Sequence, residues 1–200
     1  MEKIFLIDSG HGGFINGAYQ TAPAKMFTHK DGTIAYEGAL NRQIKNYVLR
    51  LLVQYKLKFI DVCPTDLDIP LSVRTNIINS YCSHYGKENC LLIDLHSNAG
   101  GGRGFEIWTS PGQDGSDPYA TRFYDMFAAK FPTTAMRADK CDQDPDKESK
   151  FWMLVQSKCP AILPEWLFFD TYEDWVIMRD PINQMNYAQM IADFCNQVKL

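Results

Sequence analysis

The sequence predicts a single-domain α/β fold, a three-layer sandwich in which a mostly parallel, twisted sheet carries helices on both faces. Three observations predict it. Short, almost unbroken apolar runs at residues 3–8 (KIFLID), 90–96 (CLLIDLH) and 161–165 (AILPE) have the composition of strands buried on both sides. Segments with apolar residues at helical spacing lie between them, and strands alternating with helices build parallel sheets. Finally, 200 residues at 46% hydrophobic content suffice for one sizeable core.

Each element follows in order. The first strand, 3–8, is stopped by Ser9-Gly10-His11-Gly12-Gly13. Residues 14–36 lack periodicity and contain Asn-Gly, Ala-Pro and Asp-Gly turn signals, so they read as a long loop of the kind that often serves function. Over 37–52, Glu37, Leu40, Ile44, Tyr47 and Leu51 recur at spacings of three and four, which makes one face of a helix with Glu37 at its start on the inward side. A strand at 58–62 ends before Pro64, and a helix covers 70–81. After the 90–96 strand come Ser97-Asn98-Ala99 and three glycines, then a strand at 104–109, a helix at 118–130 and a short helix at 150–156. The strand at 161–165 and an amphipathic helix at 183–198 complete a chain in which residues 1–200 read as one domain, with no repeat, low-complexity tract or linker.

Composition removes several function classes. The formal net charge is −4 with no Lys/Arg block, so the electrostatic footprint of a nucleic-acid partner is missing. No stretch approaches the roughly 18 consecutive apolar residues of a membrane span. Residues 1–8 read as a strand rather than a signal peptide, which implies synthesis in the cytoplasm. Six cysteines are scattered without a Cys-x-x-Cys pair and read as reduced packing residues.

Ligands of such sheets bind beyond the carboxyl ends of the strands. His11 follows the first strand, His96 ends the 90–96 strand, and Glu165 ends the 161–165 strand. With Glu37, the two histidines make a His₂Glu set, a catalytic zinc arrangement that leaves one position open. The same residues also fit a plainer reading, as satisfied turn histidines, a carboxylate favoured at a helix start and a glycine turn suited to anions. Alternation puts Asp94 on the face of His96, so Asp94 and, less directly, Asp8 are candidates to accept the outer N–H of a ligating histidine. His29 in the long loop and His84 in a polar turn read as exposed. Trp108, Trp166 and Trp175 suit either the core or stacking against a ligand.

Rival chemistries fit less well. There is no Gly-x-Ser-x-Gly elbow, and the glycines after the first strand have the wrong spacing for a phosphate or dinucleotide loop. A glycosidase using Glu37 and Glu165 leaves both histidines idle. A Cys/His peptidase needs a cysteine exposed at a helix start, whereas Cys82 and Cys195 sit inside helical patterns and Cys90 opens a buried strand.

Four motifs carry a resemblance: Asp8-Ser9-Gly10-His11-Gly12-Gly13, Glu37 opening a helix, Asp94-Leu95-His96-Ser97-Asn98-Ala99, and Leu163-Pro164-Glu165 followed by aromatics. In this order, over nearly the whole chain, they resemble the zinc-dependent N-acetylmuramoyl-L-alanine amidase family. The resemblance implies one Zn²⁺ held by His11, Glu37 and His96, with Glu165 as the catalytic residue. It implies hydrolysis of the amide between N-acetylmuramic acid and the stem-peptide L-alanine, in peptidoglycan or muropeptide fragments. In that chemistry the metal polarises the carbonyl and lowers the pKa of bound water towards ~7, while Glu165 carries a proton from water to the departing amine. Arg103 and Arg137 are candidates to hold a stem-peptide carboxylate, and Trp166 to line the groove.

After its catalytic glutamate the family usually has Gly-Phe and then Asn. Here Trp166-Leu167-Phe168-Phe169-Asp170 follows, and the bulk should reshape the groove wall. The 14–36 loop resembles phage-encoded lytic amidases, implying a phage or prophage origin and arrival at the wall after release by another factor such as a phage holin. No separate wall-binding domain is visible. A non-catalytic peptidoglycan-binding module is the alternative, and retention of all three ligands and Glu165 argues against it.

Overall fold

The computed structural model describes residues 2–112, 115–141 and 143–200. Strand β1 (Ile4–Ser9) leads into two small hairpins, β2 (Phe14–Ile15) with β3 (Ala18–Tyr19) and β4 (Met26–Thr28) with β5 (Ile34–Tyr36). Helix α1 (Glu37–Gln54), β6 (Lys58–Asp61), α2 (Leu71–Tyr85) and β7 (Cys90–Asn98) follow, then β8 (Glu106–Thr109), α3 (Asp117–Lys130), β9 (Lys147–Glu148) and α4 (Trp152–Gln156). Strand β10 (Ala161–Phe168), α5 (Tyr172–Met178) and α6 (Pro181–Gln197) complete the fold.

The main sheet has the order β6-β1-β7-β10-β8-β9. Strands β6, β1, β7 and β10 run parallel, while β8 is antiparallel to β10. Alternation divides the apolar side chains between two cores, as strands buried on both faces require. Phe5, Ile7, Leu91 and Ile93 pack with residues of α1, α3 and α6 on one face. Ile4, Leu6, Cys90 and Leu92 pack with Ile78 and Cys82 of α2 and with Met153 and Leu154 of α4 on the other. The expected three-layer sandwich is therefore present.

The long loop expected at 14–36 is instead two hairpins. Asn16 and Gly17 both adopt positive φ, 50° and 79°, the backbone of a two-residue turn whose twist suits paired strands. Strands of two or three residues carry too little alternation for sequence periodicity to register. Helix α5 is a further element the periodicity did not announce. Helix α6 starts at Pro181 because the Asp180 side chain accepts from the Ile182 N–H at 2.9 Å, with proline at the first position.

One irregularity shapes the site. Between Glu165 and Phe168 the register of β10 against β7 slips by a residue, since Glu165 faces His96 and Phe168 faces Asn98. Leu167 carries the kink at φ 58°, a left-handed conformation, and is 1% exposed in the core. Left-handed backbone costs a leucine roughly 1–2 kcal/mol, whereas removing a buried leucine side chain costs about 2–5 kcal/mol. Leu167→Gly is therefore expected to destabilise the fold by about 1–3 kcal/mol in urea unfolding. A stabilised variant would mean that strain outweighs packing there.

Candidate active site

The parallel strands end together, and residues of one parity face the same side there. Asp8 pairs in register with Asp94, His96 with Glu165, and Glu165 in turn with Glu106 on β8. Beyond β1 the chain turns so tightly that a Cβ on Gly10 would lie 2.1 Å from the His96 ring, so only glycine fits. A Cβ on Gly38 would likewise come within 2.1 Å of the Gly12 carbonyl oxygen. His11 itself has φ 67°. Its carbonyl is gripped from two sides, by Arg42 Nη1 and by Arg74 Nη2 at 3.1 Å.

His11 Nε2 lies 3.3 Å and His96 Nδ1 3.1 Å from the same Glu37 oxygen, Oε1. These three ligand atoms fall within 4.8 Å of one another, which makes a group able to hold a metal ion. His11 Nε2 and Glu37 Oε2 are buried without a hydrogen-bond partner, a condition that calls for an unrecorded partner such as an ion. Two imidazole nitrogens and a carboxylate oxygen are a donor set that suits zinc. On its other side, His96 Nε2 sits 3.4 Å from Asp94 Oδ1, so the ring is steered from behind by a buried carboxylate.

Glu37 is wholly buried in the first turn of α1, where its Oε1 accepts from Asn41 Nδ2 and the Ser97 N–H, each at 3.4 Å. Burial pushes its pKa up, but the adjacent His11 and His96 rings outweigh that and hold the carboxyl well below the usual range. Burial pulls His96 down, yet Asp94 and Glu37 prevail and keep its pKa well above the ordinary histidine value. Lys25 Nζ pairs with the other Glu37 oxygen, Oε2, at 3.4 Å from the edge of the second hairpin.

Glu165 stands beside this group on the next strand, and its Oε2 is buried without a partner. Burial pushes its carboxyl up to about 7, with Glu37 adding to the rise and His96 opposing it. A cavity of about 330 Å³ opens at the histidines, with Asp94 and Arg74 in its floor and Ile69, Leu71 and Met153 in its wall. A larger hollow of about 760 Å³ lies away from the histidines, beside Lys87, Lys158 and Pro160.

Several expected residues stand elsewhere. Asp8 does not reach a histidine; it takes Arg74 Nη1 at 2.9 and 3.1 Å through its two oxygens. Burial and the Asp94 charge push its pKa up to about 6 against the pull of Arg74. Trp166 is 2% exposed and stacks on Tyr187 at 4.8 Å, so its ring is core rather than groove lining. The bulge turns Leu167 into the core beside Trp166, which alternation already sends there. His29 is 4% exposed rather than exposed, because its Nε2–H donates to the Phe169 carbonyl and its ring stacks on Trp175. That clasp holds the second hairpin against α5. Arg103 pairs with Asp174 at 3.3 Å, and Arg137 pairs with Glu106 at 2.7 Å beside Glu165. His84 is exposed, in the last turn of α2.

Sequence reasoning missed Arg42 and Arg74, although a signal for Arg42 existed. Gly38, Asn41, Arg42 and Lys45 recur at helical spacing along α1, and all four are buried. A polar stripe on a buried helix face must be satisfied by groups that meet it, here the strand-end turns. Arg74 is 2% exposed, and removing one partner of a buried pair leaves the other charge uncompensated. Arg74→Met is expected to cost about 3–5 kcal/mol in urea unfolding. A loss below about 1 kcal/mol would show that Asp8 is carried without it.

Comparison with known proteins gives the same frame. Residues 5–197 match the family model described as N-acetylmuramoyl-L-alanine amidase. The chain is 29% identical over 192 residues to N-acetylmuramoyl-L-alanine amidase CwlM of Bacillus licheniformis, covering 96% of this chain and 65% of the relative. It is 28% identical over 177 residues to the sporulation-specific N-acetylmuramoyl-L-alanine amidase of Bacillus subtilis (strain 168), covering 87% and 59%. The chain thus spans less than two thirds of the length of these relatives. Among solved structures, N-acetylmuramyl-L-alanine amidase Ami1 of Mycobacterium smegmatis superposes with a TM-score of 0.75 at 20% identity, covering 98% of this chain and 97% of that one. With its fold, its four motifs and a family match across nearly its whole length, the chain belongs to the N-acetylmuramoyl-L-alanine amidase family.

Proposed function

We propose that the chain is a zinc-dependent hydrolase of peptidoglycan or its muropeptide fragments, cutting the amide between the lactyl group of N-acetylmuramic acid and the L-alanine of the stem peptide. The observation that carries this reading is the convergence of His11, Glu37 and His96 on one point, with orphaned buried atoms, beside the unpartnered Glu165 oxygen. An amide is a poor electrophile with a poor leaving group, so its hydrolysis needs a polarised carbonyl, an acidified water and a proton for the departing nitrogen. Zinc held by His11, Glu37 and His96 supplies Lewis acidity for the first two needs.

The chain's own residues supply the rest. Asp94 Oδ1, 3.4 Å behind His96 Nε2, steers the ring so that Nδ1 faces Glu37. Asn41 and the Ser97 N–H hold Glu37 Oε1 in place. Glu165 takes a proton from water at Oε2 and passes it to the alanine nitrogen. Its raised pKa, about 7, suits a group that must accept and then donate near neutrality. Phage or prophage origin, and release to the wall by a separate factor, belong to the same reading through the likeness to lytic amidases.

Zinc at about 100 times its dissociation constant is expected to stabilise the metal-free protein by about 2.7 kcal/mol, a rise of roughly 5–10 °C in melting temperature. His11→Ala and Glu37→Gln should abolish the rise, and retention of it would move the metal elsewhere. Glu165→Gln should keep the rise while slowing release of new alanine amino termini from purified peptidoglycan by about 10²–10⁴-fold. Zinc binding without any release by the unaltered protein would favour a binding module, and release of reducing ends instead would favour a glycosidase.

A further inference from the structure

Beside Glu165, on the side away from β7, is a charged cluster that amide hydrolysis does not require. Glu106 lies directly across from Glu165 in the β8–β10 pairing and is 3% exposed. Its Oε2 accepts from both Arg137 Nε and Lys147 Nζ, each at 2.7 Å. Its Oε1 accepts from Asn98 Nδ2 at 2.6 Å and Trp108 Nε1 at 3.2 Å. The carboxylate is fully engaged, and two cations share one of its oxygens.

Arg137 is held without being used up. The Arg137 N–H donates to the Phe105 carbonyl at 2.9 Å, and the guanidinium lies 5.0 Å from the centre of the Phe168 ring. Its side chain is nevertheless 39% exposed, and among the described residues it donates to protein through Nε alone. The two terminal nitrogens present a fixed, planar fork to solvent, the geometry that takes a carboxylate in a bidentate grip. Lys147 adds a second charge against the Trp108 ring.

Distance says which carboxylate fits. His96, Glu165 and Glu106 are register neighbours on three adjacent strands, so His96 and Glu106 stand roughly 9–10 Å apart. Two extended residues span at most about 7 Å, and a guanidinium reaching back covers the remainder. A peptide that ran from the scissile carbonyl along this row would bring its second residue to the fork. In a stem peptide whose second residue is a γ-linked glutamate, the α-carboxylate of that residue hangs free at this point.

We propose that Arg137 and Lys147, braced on Glu106, form an anion subsite for the free α-carboxylate of the second stem residue and make the enzyme select that carboxylate over its α-amide. This rests on the amidase reading above. An amide offers N–H groups to cations that have no acceptor to give, so it loses a charged hydrogen bond and gains none.

The test uses two soluble muropeptides that differ only in carboxylate or carboxamide at the second residue. Zinc-loaded wild type should cleave the carboxylate form with kcat/KM roughly 10–100-fold higher. Arg137→Gln should bring that ratio close to one, Lys147→Met should lower it less, and the zinc-induced rise in melting temperature should persist in both. Calorimetric binding of the same two compounds to zinc-loaded Glu165→Gln should show the same preference without turnover. If wild type cleaves neither compound, the amidase reading fails while the binding ratio still decides the subsite. Equal cleavage and equal binding of the two, or a ratio unmoved by Arg137→Gln, would overturn the subsite. So would Arg137→Gln weakening both substrates alike, since the fork would then serve another carboxylate.

Discussion

Everything at the site depends on the shared register of β1, β7 and β10. Parallel strands in register end at the same edge, so Asp8 with Asp94, and one step further on His96 with Glu165, stand as two rungs on one face. The backbone ladder sets Glu165 directly beside His96 on adjacent strands. A slip of one residue in β7 would turn His96 into the opposite core and bring an apolar neighbour to the site. The apolar residues below, Ile4, Leu6 and Leu92 on one side and Phe5, Ile7 and Ile93 on the other, oppose that slip. The hydrophobic pattern therefore fixes the chemistry indirectly, through register.

Register alone does not bring in His11, which lies past the end of β1 in a left-handed turn. Two buried arginines hold its carbonyl, and each is itself tied down, Arg42 by the Thr65 and Leu67 carbonyls and Arg74 by Asp8. Buried ion pairs add little net stability compared with apolar replacements, because desolvation offsets their attraction. Their value here is positional. A left-handed histidine costs energy, and the two arginine hydrogen bonds to its carbonyl help offset it. The cost falls where His11 turns toward Glu37.

The fold class, the mostly parallel sheet and the strand-end residues that the structure brings together were legible in the sequence because each is written in local pattern. Buried strands appear as apolar runs, and His11, His96 and Glu165 stand at the ends of three such runs. What was not legible depends on contacts between distant segments. His29 looks like a loop residue until α5 provides Trp175 as its stacking partner. Asp8, the weaker of the two carboxylate candidates by sequence, is claimed by Arg74 from α2, while Asp94 stands 3.4 Å from His96. Trp166 follows Glu165 and so reads as groove lining, but alternation already sends it to the core face.

The bulge in β10 connects these points. Strict alternation after Glu165 would place Leu167 on the site face and Phe168 in the core. Inserting one residue sends both Trp166 and Leu167 into the core and returns Phe168 to the side of Glu165 and Asn98. There its ring packs against Gly102, where a Cβ would come within 2.5 Å of it, and carries the Arg137 guanidinium. The segment in which the chain departs from the Gly-Phe pattern of its family is thus also the segment that positions the cation beside Glu165. A leucine in left-handed backbone is tolerable because its side chain fills the α6 core. The aromatic that the kink brings round then gives a flat seat for a flat charge. Groove shape and core packing are set at this place by the same three residues, so a change made for one alters the other.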